Sequence, residues 1–503
     1  MIFIGSKKSY GTTSPDKLSV GTSNDRPGAE LWYRYLTWAM EQAGPSFIKL
    51  GQWAASRTDI FPDLLTTEMS KLHSNSTPHN IDSTIKIIEE SFDGKKFEEI
   101  FEEFIPEPIG VGAIAQVYKA KIANSSHDWV AVKVLHPGVV KTVERDLSIM
   151  RFFANIINLL PTMEWLSLPG EVETFAQMMR LQMDLRIEAS NLEIFRNNFA
   201  GRSDIKFPRP FLKHSSRQVL IEEFINAIPM DVILRNSSGG QNKMERLISG
   251  KGLDAFLKML LLDNFIHADL HPGNIYVRFH GYGDQDDNVN AITREMLLIK
   301  DHDKWQAKLD DLWEKGFQPQ ICFIDVGLVT ELNKNNRRNF LDLFKAIAEF
   351  DGYRVGELMI ERSRTPETAI DADFFALKTQ RLVQNIKRRT FALGNVKVGD
   401  LLSQMLSMVR SHHVRMESDF ITVVLSILLL EGIGRQLDPG MDLFKSSIPI
   451  LRELSSQERG NPFDDDVLSM VKVWLALETR QFINASIQDI HNLVKYDLLC
   501  PNR

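Results

Sequence analysis

The hydrophobic positions change their period along the chain. In LWYRYLTWAMEQAG (31–44), aromatic and aliphatic residues recur every three or four positions, which predicts an amphipathic helix. Pro45 interrupts it, and FIKLGQWAASRTDIF (47–61) predicts a second helix. IDSTIKIIEESF (81–92) and KKFEEIFEEF (95–104) keep the helical spacing, the first opened by Asn80 or Asp82 as a cap. At Pro106 the period falls to two. PIGVGAIAQVYKAKI and WVAVKVLH alternate β-branched residues around a short polar connection, the pattern of a hairpin. ERDLSIMRFFANIINLL and ETFAQMMRLQMDLRIEASNLEIFRNNF each predict one long helix, and RQVLIEEFI is strand-like. Beyond Gly250 helices dominate, with short strands at NIYVR and ICFIDVG. Between these strands, residues 279–319 read as an insertion made of a loop and an amphipathic helix.

Helices first, then a small sheet, then a mainly helical remainder predict an α+β protein with two lobes. Residues 1–28 are polar and aperiodic and read as a disordered tail. Residues 29–105 form a helical extension, 106–230 a small lobe, and 231–503 a large lobe that carries the insertion and C-terminal helices. The longest apolar run, FITVVLSILLL from Phe420 to Leu430, is closed by Glu431. It is shorter than the ~20 residues that span a bilayer. It reads as a buried core helix, with a membrane hairpin or surface helix as the alternative.

Composition narrows the function classes. Lys and Arg total 59 against 66 Asp and Glu, a net charge of −7, and the pI is near 6.0. That argues against a dedicated nucleic-acid binder. Two cysteines, Cys322 and Cys500, exclude a disulfide framework and a cysteine-based zinc site.

Five local signals follow one another in a fixed order. Gly110-Val111-Gly112-Ala113-Ile114-Ala115 puts small residues at a hairpin tip, where backbone N–H groups can approach phosphates. In Val130-Ala131-Val132-Lys133-Val134, Lys133 shares a strand face with Ala131, and an ammonium amid apolar surface needs a partner. Asp184 and Glu188 are four apart on a helix that Met178, Met179, Met183 and Ile187 predict to be packed on several sides. His267-Ala268-Asp269-Leu270-His271-Pro272-Gly273-Asn274 has kinase catalytic-loop spacing. Asp269 there would accept a proton or hold the nucleophile, and Asn274 would bind a metal ion. A transition-metal trio at His267, Asp269 and His271 is the weaker reading, because no further His or Cys stands near. In Ile321-Cys322-Phe323-Ile324-Asp325-Val326-Gly327 a strand runs into an acid that would chelate Mg²⁺. Together these signals predict a protein-kinase-like fold. Glu222 and Phe224, at the end of RQVLIEEFI, join Gly110, Gly112, Ala115 and Lys133 as the expected cofactor-binding set. Ala268 stands where common kinases carry Arg, no A-P-E follows Asp325, and helical pattern resumes near Asn333. A platform for a protein substrate is therefore not expected.

KLGQ (49–52), QVYKA (116–120), VAVKVLHPGV (130–139), DLRIEASNLEIF (184–195), HADLHPGNI (267–275), FIDVGLV (323–329) and LEGIGRQLDP (430–439) resemble the UbiB-like, aarF-domain-containing atypical kinases. The wording of QMDLRIEASNLE is most similar to the mitochondrial aarF domain-containing kinase two branch. The resemblance implies ATP and Mg²⁺ as cofactors and a role in coenzyme Q and lipid metabolism. Quinone precursors, lipids or a membrane surface are the partners it implies, and a mitochondrial location. It assigns Lys49 and Gln52 to a regulatory plug over the nucleotide site. The family's E-x-D partner reads Gln182-Met183-Asp184 here, which leaves Asp184 as the charged partner of Lys49. Glu188 becomes the partner of Lys133. The alternative function is a nucleotide-gated scaffold or lipid-binding chaperone with little phosphoryl transfer.

Overall fold

The computed structural model describes residues 28–450, apart from 73–77, 124–128, 161–165, 282–285, 394–397 and five positions between 442 and 449. The expected tail before Gly28, Cys500 and the last C-terminal helices lie outside the described residues.

Three helices open the chain: α1 (Ala29–Ala43), α2 (Pro45–Ser56) and α3 (Asp63–Met69). Gly44 turns α1 into α2 at φ 108°, ψ −173°, a conformation that only glycine adopts without strain. The three helices close around Met40, Ile48, Ala54, Leu65, Met69 and Leu72. Gly51 is required there: a Cβ would stand 2.2 Å from Leu72 Cδ1. The close approach that this glycine permits is to the side chains of Leu72 and Met40.

Next come α4 (Ile81–Ser91) and the short α5 (Phe97–Ile100). An antiparallel sheet follows, with β1 (Phe101–Phe104), β2 (Gly110–Val111), β3 (Ala115–Ile122) and β4 (Val130–Leu135). β5 (Ile205–Lys206) belongs to a second sheet, and β6 (Val219–Glu223) completes the first, in the order β1-β3-β4-β6. One face buries Val130, Val132 and Val134 against Ile87 and Ile88 of α4. Alternation sends Ala131 and Lys133 to the other face.

Residues 95–104 depart from the expected helix. Only Phe97–Ile100 is helical, and Phe101–Phe104 pairs with β3. A register shift between Phe101 and Glu103 lets both Phe101 and Phe104 reach the core despite their odd spacing. The single long helix expected over 173–199 is likewise two. After α6 (Val139–Asn158), α7 (Leu168–Gln182) stops at Met183, and α8 (Leu185–Asn198) starts behind Asp184. Asp184 adopts extended φ/ψ and caps α8 by accepting the Arg186 N–H.

The second sheet has the order β5-β10-β9-β7, with β7 (Ile228–Pro229), β9 (Ile275–His280) and β10 (Gln318–Phe323). β8 (Ile266–His267) pairs with β11 (Val329–Thr330). α9 (Met230–Arg235) and α10 (Lys243–Leu257) precede β8. The insertion holds two helices rather than one, α11 (Asp286–Leu298) and α12 (His302–Glu314), anchored by buried Trp305, Leu309 and Leu312. Beyond β11, α13 (Lys334–Ala348), α14 (Gly352–Glu361), α15 (Ala372–Leu393), α16 (Val398–Ser411) and α17 (Ser418–Leu437) form a helical layer. α17 is long and apolar enough to cross a bilayer by length and composition. In this fold Phe420, Val423, Ile427 and Leu430 are buried, and the helix packs on α10 and α16, the core position expected for it.

Candidate active site

Lys133 leaves β4 on the inner face of the small sheet, and its side chain is 16% exposed. An ammonium this deep must be compensated. Glu188, near the start of α8, accepts from Lys133 Nζ at 2.8 Å through Oε1 and 2.9 Å through Oε2. Asp325, just past β10, accepts at 3.1 Å through Oδ2. Gly327 makes room for both acids: a Cβ there would lie 3.3 Å from Asp325 Oδ1 and 3.5 Å from Glu188 Oε2. Its N–H also donates to Asp325 Oδ1 at 3.0 Å. Asn191, three residues after Glu188, donates from Nδ2 to the Val326 carbonyl at 2.9 Å. Sequence reasoning passed over Asn191. The signal was its spacing, because residues three apart share a helix face.

The charges interlock. Burial opposes the Lys133 ammonium, but Asp325 and Glu188 outweigh it and hold its pKa above the ordinary lysine value. Burial also works against the Asp325 carboxylate, yet Lys133, the Gly327 N–H and Lys49 keep it well below the usual range. For Glu188 burial wins and pushes the pKa up, with Lys133 opposing. Glu222 lies across from Ala131 and is buried. Burial, and then the charge of Glu188, raise it well above a normal carboxylate. Its Oε2 has no hydrogen-bond partner among the described residues.

The catalytic-loop segment is held from both ends. His267 is fully buried beside Phe195 and Phe323, and its Nδ1 accepts the Asp269 N–H at 3.1 Å. Burial lowers its pKa. The bond to the Asp269 N–H occupies Nδ1, and among the described residues no three His, Cys, Asp or Glu side chains stand together as metal ligands. Asn274 donates from Nδ2 to the Asp269 carbonyl at 3.1 Å, which leaves its Oδ1 as an oxygen donor. The Asn274 carbonyl in turn accepts the Ile324 N–H at 3.2 Å, directly before Asp325. The Asp269 side chain is 38% exposed, with His271 Nε2 3.9 Å away. Only residues 328–332 separate Gly327 from Asn333, the cap of α13, and β11 takes two of them.

The remaining candidates divide. Gly112 donates its N–H to the Ala115 carbonyl at 2.8 Å, so these two residues close the hairpin tip. Gly110 sits in β2, opposite Val117. Phe224 stacks on Lys119, whose Nζ stands 4.4 Å from the ring centroid. Lys49 lies close enough for its charge to act on Asp325. One expectation is corrected. Asp184 does not pair with Lys49: it is bound by Arg186, 2.6 Å from Oδ2, because capping α8 turns the carboxylate back onto its own first turn. Gln52 spends an amide N–H on the Leu72 carbonyl at 3.1 Å, which ties α2 to the end of α3. The same helix is anchored by an unforeseen buried network. Arg57 binds Asp59 at 2.8 Å and Glu171 of α7 at 2.7 Å, and Arg415 reaches Glu171 at 3.3 Å.

Comparisons with known proteins fall on the same residues. Residues 71–359 match the ABC1 atypical kinase-like domain and residues 381–442 the UbiB helical domain. A mitochondrial ABC1 family protein of Saccharomyces cerevisiae is 49% identical over 97% of this chain and 78% of its own length. A mitochondrial ABC1 family protein of Schizosaccharomyces pombe is 42% identical over 94% of this chain and 72% of its own. A protein of Aeromonas hydrophila named "Probable protein kinase UbiB" is 28% identical over 84% of this chain and 70% of its own. The strand lysine, helix glutamate and D-V-G acid thus meet inside a domain with a known pattern, and the chain belongs to the ABC1 atypical kinase-like family as a mitochondrial member.

Proposed function

We propose that this chain binds Mg-ATP between its lobes and acts as an atypical kinase or ATPase that supports mitochondrial coenzyme Q and lipid metabolism. The observation that carries the reading is the convergence of Glu188 and Asp325 on Lys133 Nζ. Lys133 would bind the α- and β-phosphates, and Glu188 would orient it. Asp325 and the free Oδ1 of Asn274 are hard oxygen donors of the kind that Mg²⁺ takes, so these two would hold the ion. The bound ion supplies charge neutralisation at the phosphates. Asp269, open to the cleft, would position a water or a hydroxyl acceptor. Glu222 and Phe224 at the end of β6, with the 110–115 loop, would line the nucleotide. The coenzyme Q and lipid role rests on family membership and on the UbiB-named relative.

The test is a thermal shift with Mg-ATP on wild type and Asp325→Asn. Wild type should be stabilised and the variant should not; an equal shift in both sinks the site assignment. Metabolite and lipid profiling of cells carrying Asp325→Asn then separates quinone synthesis from a wider lipid role.

A second reading is favoured by a specific observation. Arg57, at the end of α2, is tied to Glu171 of α7, Lys49 of α2 acts on Asp325, and only five residues lie between Gly327 and Asn333. A nucleotide-gated scaffold would bind ATP without turning it over. Turnover assays in the presence of membranes and lipid head-group mimics discriminate, with binding and no hydrolysis under every condition favouring the scaffold.

A further inference from the structure

His136 follows β4, in the 130–139 segment but given no role above, and grips the hairpin tip at two points. Its backbone N–H donates to the Ile114 carbonyl at 2.8 Å. Its ring Nε2 lies 2.9 Å from the Gly112 carbonyl. A carbonyl can only accept, so Nε2 carries a proton. Nδ1 faces His79 Nδ1, 2.7 Å away, and one of these two nitrogens donates to the other. His79 Nε2 faces Thr84 Oγ1 at 2.9 Å. Thr84 Oγ1 shares a hydrogen bond with the Tyr118 hydroxyl at 2.8 Å. Gln116 completes the set, taking the His79 N–H at 3.2 Å and donating to the Tyr118 hydroxyl. Thr84, Gln116 and Tyr118 are buried. The hydrogen bonds thus run without a break from α4 through β3 to the loop.

We propose that His136 is a positioning residue for the nucleotide loop, and that His79 holds its ring in the orientation it needs. Ala113, Ile114 and Ala115 are buried in the core, whereas Gly112 has no side chain to anchor it. Two bonds from one residue at the base of the hairpin fix the Gly112 and Ile114 carbonyls and keep residues 112–115 in the geometry that would meet phosphates. The assignment of the loop to nucleotide rests on the function proposed above. The clamp itself rests on the ligand-free geometry alone.

The test uses the full chain with His136→Ala, His136→Gln and His79→Ala. Gln places an amide N–H near the position of Nε2, whereas Ala keeps only the backbone bond to Ile114. In the nucleotide-free protein, amides 112–116 of His136→Ala should exchange roughly tenfold faster, the size expected from loss of one hydrogen bond. His136→Gln should stay near wild type. The dissociation constant for Mg-ATP should rise about three- to tenfold in His136→Ala and return toward wild type in His136→Gln. Wild-type exchange in His136→Ala overturns the proposal, as does His136→Gln behaving like His136→Ala. If His136→Ala does not fold, His79→Ala carries the test: its loop exchange should rise about threefold, and unchanged exchange overturns the relay. Absence of Mg-ATP binding in wild type would instead remove the proposed function, a different result because exchange is read without nucleotide.

Discussion

Lys133 and Glu188 meet twice, at 2.8 and 2.9 Å, although 55 residues separate them in the chain. Both are largely withdrawn from water, with 16% and 5% of their side chains exposed. Breaking one side of such a pair leaves the other charge uncompensated, at a cost of about 3–5 kcal/mol. Lys133→Met should therefore lower stability. The cost should fall below that range, because Glu188 is already pushed toward its neutral form by burial and can take up a proton. Denaturant titration of Lys133→Met and of Lys133→Met/Glu188→Gln measures this. The double variant should recover part of the loss, and a double variant no better than the single one contradicts the pairing.

Arg57 carries a network that a local motif does not reveal. Its guanidinium compensates Asp59 and Glu171, all three about 5% exposed, and it stacks 5.2 Å from the Trp53 ring. Arg57→Ala strands Asp59 and leaves Glu171 with Arg415 alone, and should destabilise the fold by roughly 3–5 kcal/mol. Arg57→Lys should recover only part, because an ammonium cannot serve both acids with a planar fork. Chemical unfolding of the two variants ranks them, and equal stability of Arg57→Ala and wild type would falsify the network.

Gly51 faces Leu72 across the α2–α3 junction. Its alanine variant places a Cβ 2.2 Å from Leu72 Cδ1 and 3.2 Å from Met40 Cε. Overpacking of this kind costs about 1–3 kcal/mol. Gly51→Ala should lower the melting temperature and speed hydrogen exchange in α2. Gly51→Ala/Leu72→Ala relieves the clash and should restore α2 protection, even though the lost leucine lowers global stability.

The histidine relay makes stability depend on pH in a set direction. Burial, with the neighbouring His136, holds His79 down to about 4, against an ordinary value of 6.5. As pH falls, the unfolded chain takes the proton first, so protonation favours unfolding. The contribution is fully present above pH 6.5 and is lost progressively as pH falls from 6.5 toward about 4. Melting curves of wild type and His79→Gln across that window should converge at low pH. Parallel curves would assign the acid sensitivity elsewhere.

The reach of the sequence shows in particular residues. Lys133, Glu188 and Asp325, which the fold brings together, were legible because each sits in a short motif, and the order of those motifs along the chain pointed to the lobed arrangement. Residues 97–104 misled for a physical reason. Phe97, Phe101 and Phe104 recur at helical spacing, yet a strand with a register shift presents the last two to the same core. Phe104 lies 5.0 Å from the Tyr118 ring, and pattern alone cannot see that neighbour. Asp184 misled similarly. Spacing placed it on the Glu188 face, whereas Met183 ends α7 and the backbone turn makes Asp184 a cap.

The sequence by itself determined the kinase-like class, placed Lys133, Glu188 and Asp325 in ordered motifs, and left few residues between Gly327 and Asn333. Those features are local, carried by residue type and spacing within a few positions. Only the tertiary structure decided which acid meets which cation: Asp184 with Arg186, Arg57 with Glu171 114 residues away, Lys49 acting on Asp325. Likewise only the fold brings His79, His136 and Gly112 together. Charge pairing and hydrogen bonding act over a few ångströms in space, and distance along the chain does not predict distance across a folded core.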